Sequence, residues 1–394
     1  MIKKDPIMII GGGPSGMMAA ISAKMHHPKN DVLLIERNKK LGIKLSLTGG
    51  GRCNVTSKMD KDDLVAYIPK NAKFLYSTFN QYDAYDIIDF FNSHHCPLKE
   101  EDHFRMFPKS NQSSDIIETL EKKLRQLGVE IIFEQLVTNV DYIKKVIVTN
   151  QKTYHYQSLI IATGGVTLPN TGSDGTGYEL AKKADHTITK LLPAEVPLVS
   201  NDSVIQSKEL QGLSFKDVSL SVYNQKGKIV KTLTHDLLIT HFGLSGPLAL
   251  RASYDIINLF EKNEKTVKIT IDFLPKIKLN HLESLTEEDL KTTLKQQQVP
   301  KRLLDYLKTN HDNVIKALKQ FELTIHDTGG FKRAFVTNGG ISLKEIDPKT
   351  MKSKLNPHLS FCGEIMDINA YTGGFNITSA LATGFVAGKH ALDF

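Results

Sequence analysis

Cysteine is scarce in this chain of 394 residues: Cys53, Cys96 and Cys362 lie far apart and form no C-x-x-C pair. That spacing argues against a disulfide framework, a structural zinc site and a redox-active dithiol. No apolar run approaches the roughly 20 residues needed to span a bilayer. The apolar stretch of MIKKDPIMIIGGG is too short, and too soon followed by glycines, for a secretory signal. A cytoplasmic protein without a membrane partner is the expectation. Internal repeats and low-complexity tracts are also missing. What is present is ordinary globular composition, 40% hydrophobic and 24% charged, enough to bury substantial cores in two or three domains. The net charge of +7 permits contact with polyanions, yet the lysines alternate with acids, as in EKNEKTVK. This pattern reads as a solvated surface, and nucleic acid is not the expected partner.

The glycines carry the first chemical signal. IMII (Ile7 to Ile10) suits a strand buried on both faces, and SGMMAAISAKMHH suits a helix with Met17, Ala20, Ile21 and the Lys24 stem on one face. Between them stands Gly11-x-Gly13-x-x-Gly16. In such a turn the first glycine permits the bend, the second lets the backbone approach a pyrophosphate, and the third lets helix and strand pack closely. A second strand, Val32 to Ile35, ends in Glu36, placed to accept hydrogen bonds from a ribose. Strand, turn, helix, strand and acid in this order predict a dinucleotide site.

The fingerprint alone does not separate FAD from NAD. Further along, KKLGIKLSLTGGGRCNVTS brings three successive glycines, Gly49 to Gly51, where main-chain N–H groups can crowd a flat or anionic ligand. HYQSLIIATGG gives a strand ending in Ala162, Thr163, Gly164 and Gly165. The chain closes with CGEIMDINAYTGGFNITSALATGFVAG, a strand end, a glycine pair and a helix of small residues.

The set GGGPSG, TGGGRCN, ATGG, THFGLSGP and CGEIMDINAYTGGFN resembles the BaiN-like family of bacterial flavoproteins over nearly the whole chain. Its members carry labels such as aminoacetone oxidase and 3-dehydro-bile-acid Δ4,6-reductase. Ile43 and Ser57 depart from the family's usual basic residue and Asn. The resemblance implies non-covalent FAD and an α/β fold: a discontinuous Rossmann-type FAD-binding domain with an inserted β-rich domain and a small helical subdomain. It implies that Glu36 and Arg37 meet the ribose, and that Gly11, Gly13, Pro14, Ser15 and Gly16 meet the pyrophosphate. Lys44, Thr48, Gly49, Gly50, Gly51, Arg52, Cys53 and Asn54 would follow the ribityl chain and flavin, and the Val137 main chain the adenine. Ala162, Thr163, Gly164 and Gly165 join the cofactor set. Gly363, Glu364 and Asp367 would serve ribityl and pyrophosphate, and Gly373, Gly374, Asn376 and Ile377 the flavin ring.

These segments place the FAD-binding domain at 1–190 plus 356–394. Antiparallel runs such as VSLSVYN and KIVKTLTH assign a barrel-like substrate domain to 191–276 plus 330–355, and helical spacing assigns 277–329 to a helical subdomain. The C-terminal helix, starting near Asn376, would direct its positive end at the flavin N1 and C2 carbonyl, where negative charge develops on reduction. Catalytic candidates are His241, after a strand and before a glycine-rich turn, and Tyr371 and Asn369, beside the last glycine pair. Arg105 could bind an anionic substrate, and Cys53 could be a reactive thiol or a small packed residue. NTGSDGTGYELA has the wrong glycine spacing for a second dinucleotide fingerprint, so no dedicated NAD(P)H domain is expected. The expected activity is an FAD-dependent oxidoreductase of a small organic substrate with NAD(P)H as transient reductant. Alternatives are an amine oxidase using oxygen and a nucleic-acid-associated flavoprotein.

Overall fold

In the computed structural model, which describes residues 4–394, the apolar runs read from the sequence join Glu130–Ile132, which carried no such signal, in a five-stranded parallel sheet. Strand β1 (Ile7–Ile10) leads into helix α1 (Pro14–His26), followed by β2 (Val32–Ile35), α2 (Ser113–Gln126), β3 (Glu130–Ile132), β4 (Ser158–Ile161), β5 (Leu359–Phe361) and α3 (Phe375–Lys389). The strand order is β5-β4-β1-β2-β3. β1 is therefore flanked by β4 on one side and β2 on the other, so the connections leave it in opposite directions, the arrangement that opens a ligand crevice at the carboxyl ends of the strands. Gly11, Glu36, Ala162 and Cys362 each follow such an end immediately. Parallel pairing thus brings residues from four remote stretches to one edge.

Helix α1 is not the one-faced helix its spacing suggested. Every residue from Ser15 to Ala23 is buried, because the helix lies between the sheet, α2 and α3. The close crossing with α3 depends on glycine: a Cβ on Gly384 would lie 2.3 Å from the Ser15 carbonyl oxygen, and one on Gly388 would lie 2.2 Å from that of Ala19.

The chain forms two compact units, Met1–Leu192 with Val336–Phe394, and Pro193–Phe335. Residues 336–355, read from the sequence as part of the insertion, thus belong with the parallel sheet. Their backbone explains it: the Ile341 N–H donates to the Ile365 carbonyl at 2.9 Å, and the Asp367 N–H donates to that of Ile341 at 3.0 Å. The first unit also carries small antiparallel sheets, one of them Val137–Asp141, Val146–Thr149 and Thr153–His155.

The second unit is a seven-stranded antiparallel sheet centred on Ser214–Tyr223 and Ile229–Thr240. Val218, Leu220 and Val222 face the core while Ser219 and Ser221 pair with Thr234 and Thr232 on the other side, the period-2 pattern of a half-buried strand. The helices at Glu287–Gln296, capped by the Thr286 hydroxyl, and Lys301–Asn310 add Leu294, Leu303 and Leu307 to the same core. No helix among the described residues is long and apolar enough to cross a membrane.

Candidate functional site

The turn after β1 gives its glycines different surroundings. Gly11 has φ +107°, and its Cβ would collide with the Ala162 carbonyl oxygen at 2.5 Å. On Gly16 a Cβ would sit 1.8 Å from the Gly11 carbonyl oxygen, so this glycine allows α1 to pack against the turn. Gly13 is the opposite case: a Cβ there meets nothing within 4 Å, although the backbone φ is an ordinary −77°. Neither backbone conformation nor internal packing requires glycine at position 13. Open space lies on that side, beside the start of α1, where Pro14 occupies the first turn and unpaired N–H groups favour an anion.

Glu36 lies behind the turn, 7% exposed. Its Oε2 accepts the Gly12 N–H at 2.7 Å, and its Oε1 accepts both the N–H and the side-chain amide of Asn38 at 2.8 Å. Burial pushes its carboxyl above the usual range, against the pull of these N–H donors. Arg37, next to it, pairs with Asp174 at 2.5 Å.

Gly49, Gly50 and Gly51 all adopt positive φ, and Cβ atoms on Gly50 and Gly51 would meet open space. The run is fixed from both sides. The Thr48 hydroxyl donates to the Leu45 carbonyl at 2.7 Å, while Arg52 pairs with Glu101 at 2.9 Å and stacks over Phe107 at 4.2 Å. Cys53 is fully buried and its thiol is pushed up to about 12 by desolvation, which makes it a packed residue and not a reactive thiol. Arg105 donates to the Asp102 carbonyl at 2.9 Å and faces the same Phe107 ring. Asn54 is buried, and its Oδ1 has no hydrogen-bond partner.

Beyond the end of β5, one carboxylate gathers residues from remote stretches of the chain. Glu364 Oε2 accepts from the Lys44 ammonium at 2.7 Å, and its Oε1 accepts the Thr337 N–H at 2.8 Å. Lys44 also donates to the Thr167 hydroxyl at 2.9 Å. Gly164 and Gly165 face protein: Cβ atoms there would approach Ser173 Oγ at 2.9 Å and Thr337 Oγ1 at 2.2 Å. A Cβ on Gly363 would strike Ser15 Oγ at 2.4 Å. Asp367 is buried and held by Lys70 at 2.7 Å. Before α3, the Asn376 side chain braces its own loop, accepting the Ala370 N–H at 2.8 Å and donating to the Ala370 carbonyl at 2.7 Å. Gly373 and Gly374 have positive φ there, and Ile377 is half-buried in the first turn of α3. Val137 is buried at the head of its antiparallel strand.

Of the catalytic candidates, Asn369 and Tyr371 lie in the loop between Asp367 and α3. Both are buried, and Asn369 Oδ1 has no partner. The Tyr371 N–H is anchored to the Tyr67 carbonyl at 2.8 Å. His241 belongs to the second unit, exposed at the turn between Ile229–Thr240 and Gly243–Ser245. Sequence reasoning missed Lys70, Thr167, Thr337 and Asn338. The last two precede the pair Gly339-Gly340, the same polar-then-glycine pattern as ATGG and YTGG, and that pattern was the available signal.

These features fit a flavin dinucleotide. Gly13, Gly50 and Gly51 leave space that no side chain of the protein fills. The buried amide oxygens of Asn54, Asn338 and Asn369 lack donors, which is costly unless a ligand supplies them, and ribityl hydroxyls and a flavin N–H are donors of that kind.

The family model described as the HI0933-like protein Rossmann domain matches residues 5–390. The chain is 30% identical to a 3-dehydro-bile acid delta(4,6)-reductase of Clostridium scindens, over 98% of this chain and 99% of that one. It is 27% identical to a ribosomal RNA dihydrouridine synthase of Escherichia coli, over 97% and 96%. Among solved structures it resembles a 3-ketosteroid-delta4-(5alpha)-dehydrogenase of Rhodococcus jostii, with a TM-score of 0.51 at 14% identity, covering 99% of this chain and 97% of that one.

Proposed function

Because the chain belongs to the HI0933-like Rossmann family, it is an FAD-dependent oxidoreductase, and we propose that it saturates a carbon–carbon double bond conjugated with a carbonyl group in a small organic substrate, with NAD(P)H as reductant. The observation that carries this reading is chemical. A Δ4,6-reductase of a 3-oxo compound and a dihydrouridine synthase, the names of two full-length relatives, both denote reduction of an alkene activated by a neighbouring carbonyl.

FAD, when bound, supplies the two-electron chemistry, and the chain's residues do the rest. Glu36 would accept a ribose hydroxyl, and the open side of Gly13 with the N–H groups at the start of α1 would receive the pyrophosphate. Lys44, held by Glu364, and the run Gly49 to Asn54 would line the ribityl and flavin side, and the Val137 main chain would meet the adenine. The N-terminus of α3 would favour the negative charge that reduction places on the flavin. Asn369 binds the substrate carbonyl through its amide N–H, and Tyr371 carries the proton that the α-carbon takes up. The balance is one proton from the protein and two electrons with one hydrogen from NAD(P)H, leaving NAD(P)⁺ and a saturated bond.

A second substrate reading, uridine within RNA, is supported by the dihydrouridine synthase relative and the net charge of +7. Anaerobic mixing of the FAD-loaded protein with NADH or NADPH tests the reductive half. Bleaching of the flavin by one of them is expected, and an unchanged oxidised spectrum with both would overturn the assignment of reductant.

A further inference from the structure

The stretch NTGSDGTG, unsuited to a second dinucleotide fingerprint, reaches back to the first one. After β4 the chain makes a short turn at Pro169–Thr171 and enters the helix Thr176–Lys182. Three contacts bind the intervening loop to the two residues that follow Glu36. Asp174 pairs with the Arg37 guanidinium at 2.5 Å. The Thr171 carbonyl accepts from the Asn38 side-chain amide at 3.1 Å. Gly172, at φ +98°, lies so close that a Cβ would stand 2.7 Å from Asn38 Nδ2 and 3.3 Å from Arg37 Cδ.

Asp174 is prepared for this pairing. Its Oδ1 accepts the Thr176 hydroxyl at 2.6 Å and the Thr176 N–H at 3.1 Å, which leaves Oδ2 for Arg37. Ser173 fastens the same loop to β4's end, its hydroxyl donating to the Gly165 carbonyl at 3.0 Å. The Asn38 amide has two hydrogens and uses both. One goes to the Thr171 carbonyl, the other to Glu36 Oε1 at 2.8 Å. A single side chain therefore links the loop to the carboxylate that serves the ribose.

We propose that residues 169–176 form a strap that retains the nucleotide end of the bound cofactor, with Asp174 and Asn38 as its positioning residues. The inference rests on the reading of Glu36 as the ribose acceptor. With the strap fastened, Arg37 and Asn38 are fixed and Glu36 keeps its orientation; release of the adenosine end requires the Arg37–Asp174 pair to open. Each of its two side chains is 33% exposed, so the pair is screened by salt and its worth is that of a surface ion pair.

The test is the rate at which FAD leaves the loaded protein, measured by transfer to an excess of a flavin-scavenging apoprotein. Asp174→Asn should speed release about threefold to fivefold at low salt, the upper range for an exposed pair. Asn38→Ala should speed it at least as much. The wild type should approach the Asp174→Asn rate at high salt and Asp174→Glu should keep release slow, which a merely structural loop would not show. The melting temperature of each apoprotein checks folding, and the salt dependence of the wild type serves if a single variant fails to fold. If Asp174→Asn and Asn38→Ala release FAD at the wild-type rate while Glu36→Ala releases it faster, the strap is wrong and the ribose assignment stands. If Glu36→Ala also leaves release unchanged, the underlying assignment falls.

Discussion

Two glycines of one turn have opposite surroundings. Gly16 faces the Gly11 carbonyl oxygen, which a Cβ would meet at 1.8 Å, whereas Gly13 faces open space with an ordinary φ of −77°. Gly13→Val should therefore give a folded apoprotein with near-wild-type melting temperature that no longer takes up FAD, because the branched side chain occupies the pyrophosphate's place. Gly16→Val should fail at an earlier stage, with loss of the folded state, since α1 has no room to withdraw from the turn. Absorbance of the purified variants and thermal melts distinguish the two. A yellow Gly13→Val protein would remove the pyrophosphate from this side of the turn. The packing role of Gly16 was legible from spacing alone, because the turn, the helix start and the strand end are local. Lys70 and Thr337 were not, since their partners Asp367 and Glu364 lie 297 and 27 positions away and nothing local marks them.

At the scale of elements, segment 343–356 is held to the first unit by His186. The buried ring Nε2 accepts the Ser353 hydroxyl at 2.8 Å. Ser353 Oγ in turn accepts the N–H groups of Leu355 and Asn356 at 3.0 and 2.9 Å. With both lone pairs engaged, Ser353 must donate its hydrogen, and a protonated ring would face it with a second donor. On the other side, Nδ1 lies 3.2 Å from the Glu345 carboxylate, which also accepts the Thr187 N–H, and the ring meets the edge of Phe361. Burial holds the imidazole below its ordinary 6.5, although Glu345 and Asp185 pull the other way. A base whose folded value is depressed adds stability above its unfolded value and loses it as pH falls. Urea unfolding should show the wild type losing stability relative to His186→Gln as pH falls below 6.5, with a slope of at most about 1.4 kcal/mol per pH unit for one proton. A difference independent of pH would show that His186 does not titrate on unfolding. The sequence reading assigned residues 330–355, nearly all of this segment included, to the insertion. Its allegiance is decided by backbone pairing between Ile341 and Ile365–Asp367, which periodicity does not encode. α1 shows the same limit: its spacing suggested one buried face, and only packing against α2 and α3 buries the rest.

For the whole molecule, β1 and β2 were readable because each is a short apolar run followed by a glycine or an acid, whereas β3 is three residues long and carries no such signal. The strand order then turns four separate motifs into one crevice edge, a result of topology that no motif contains by itself. Substrate identity is less accessible from the same edge, since relatives named for a bile acid and for ribosomal RNA match over almost equal lengths of the chain. What their names share is the kind of bond reduced. The most direct measurement is a single turnover: protein whose flavin has been fully reduced is mixed without oxygen with a cyclic conjugated enone, and separately with uridine-containing RNA. One of these acceptors should restore the oxidised flavin spectrum and yield one saturated product per flavin. Persistence of the reduced flavin with every conjugated acceptor, and reoxidation by oxygen alone, would rule out the proposed reduction.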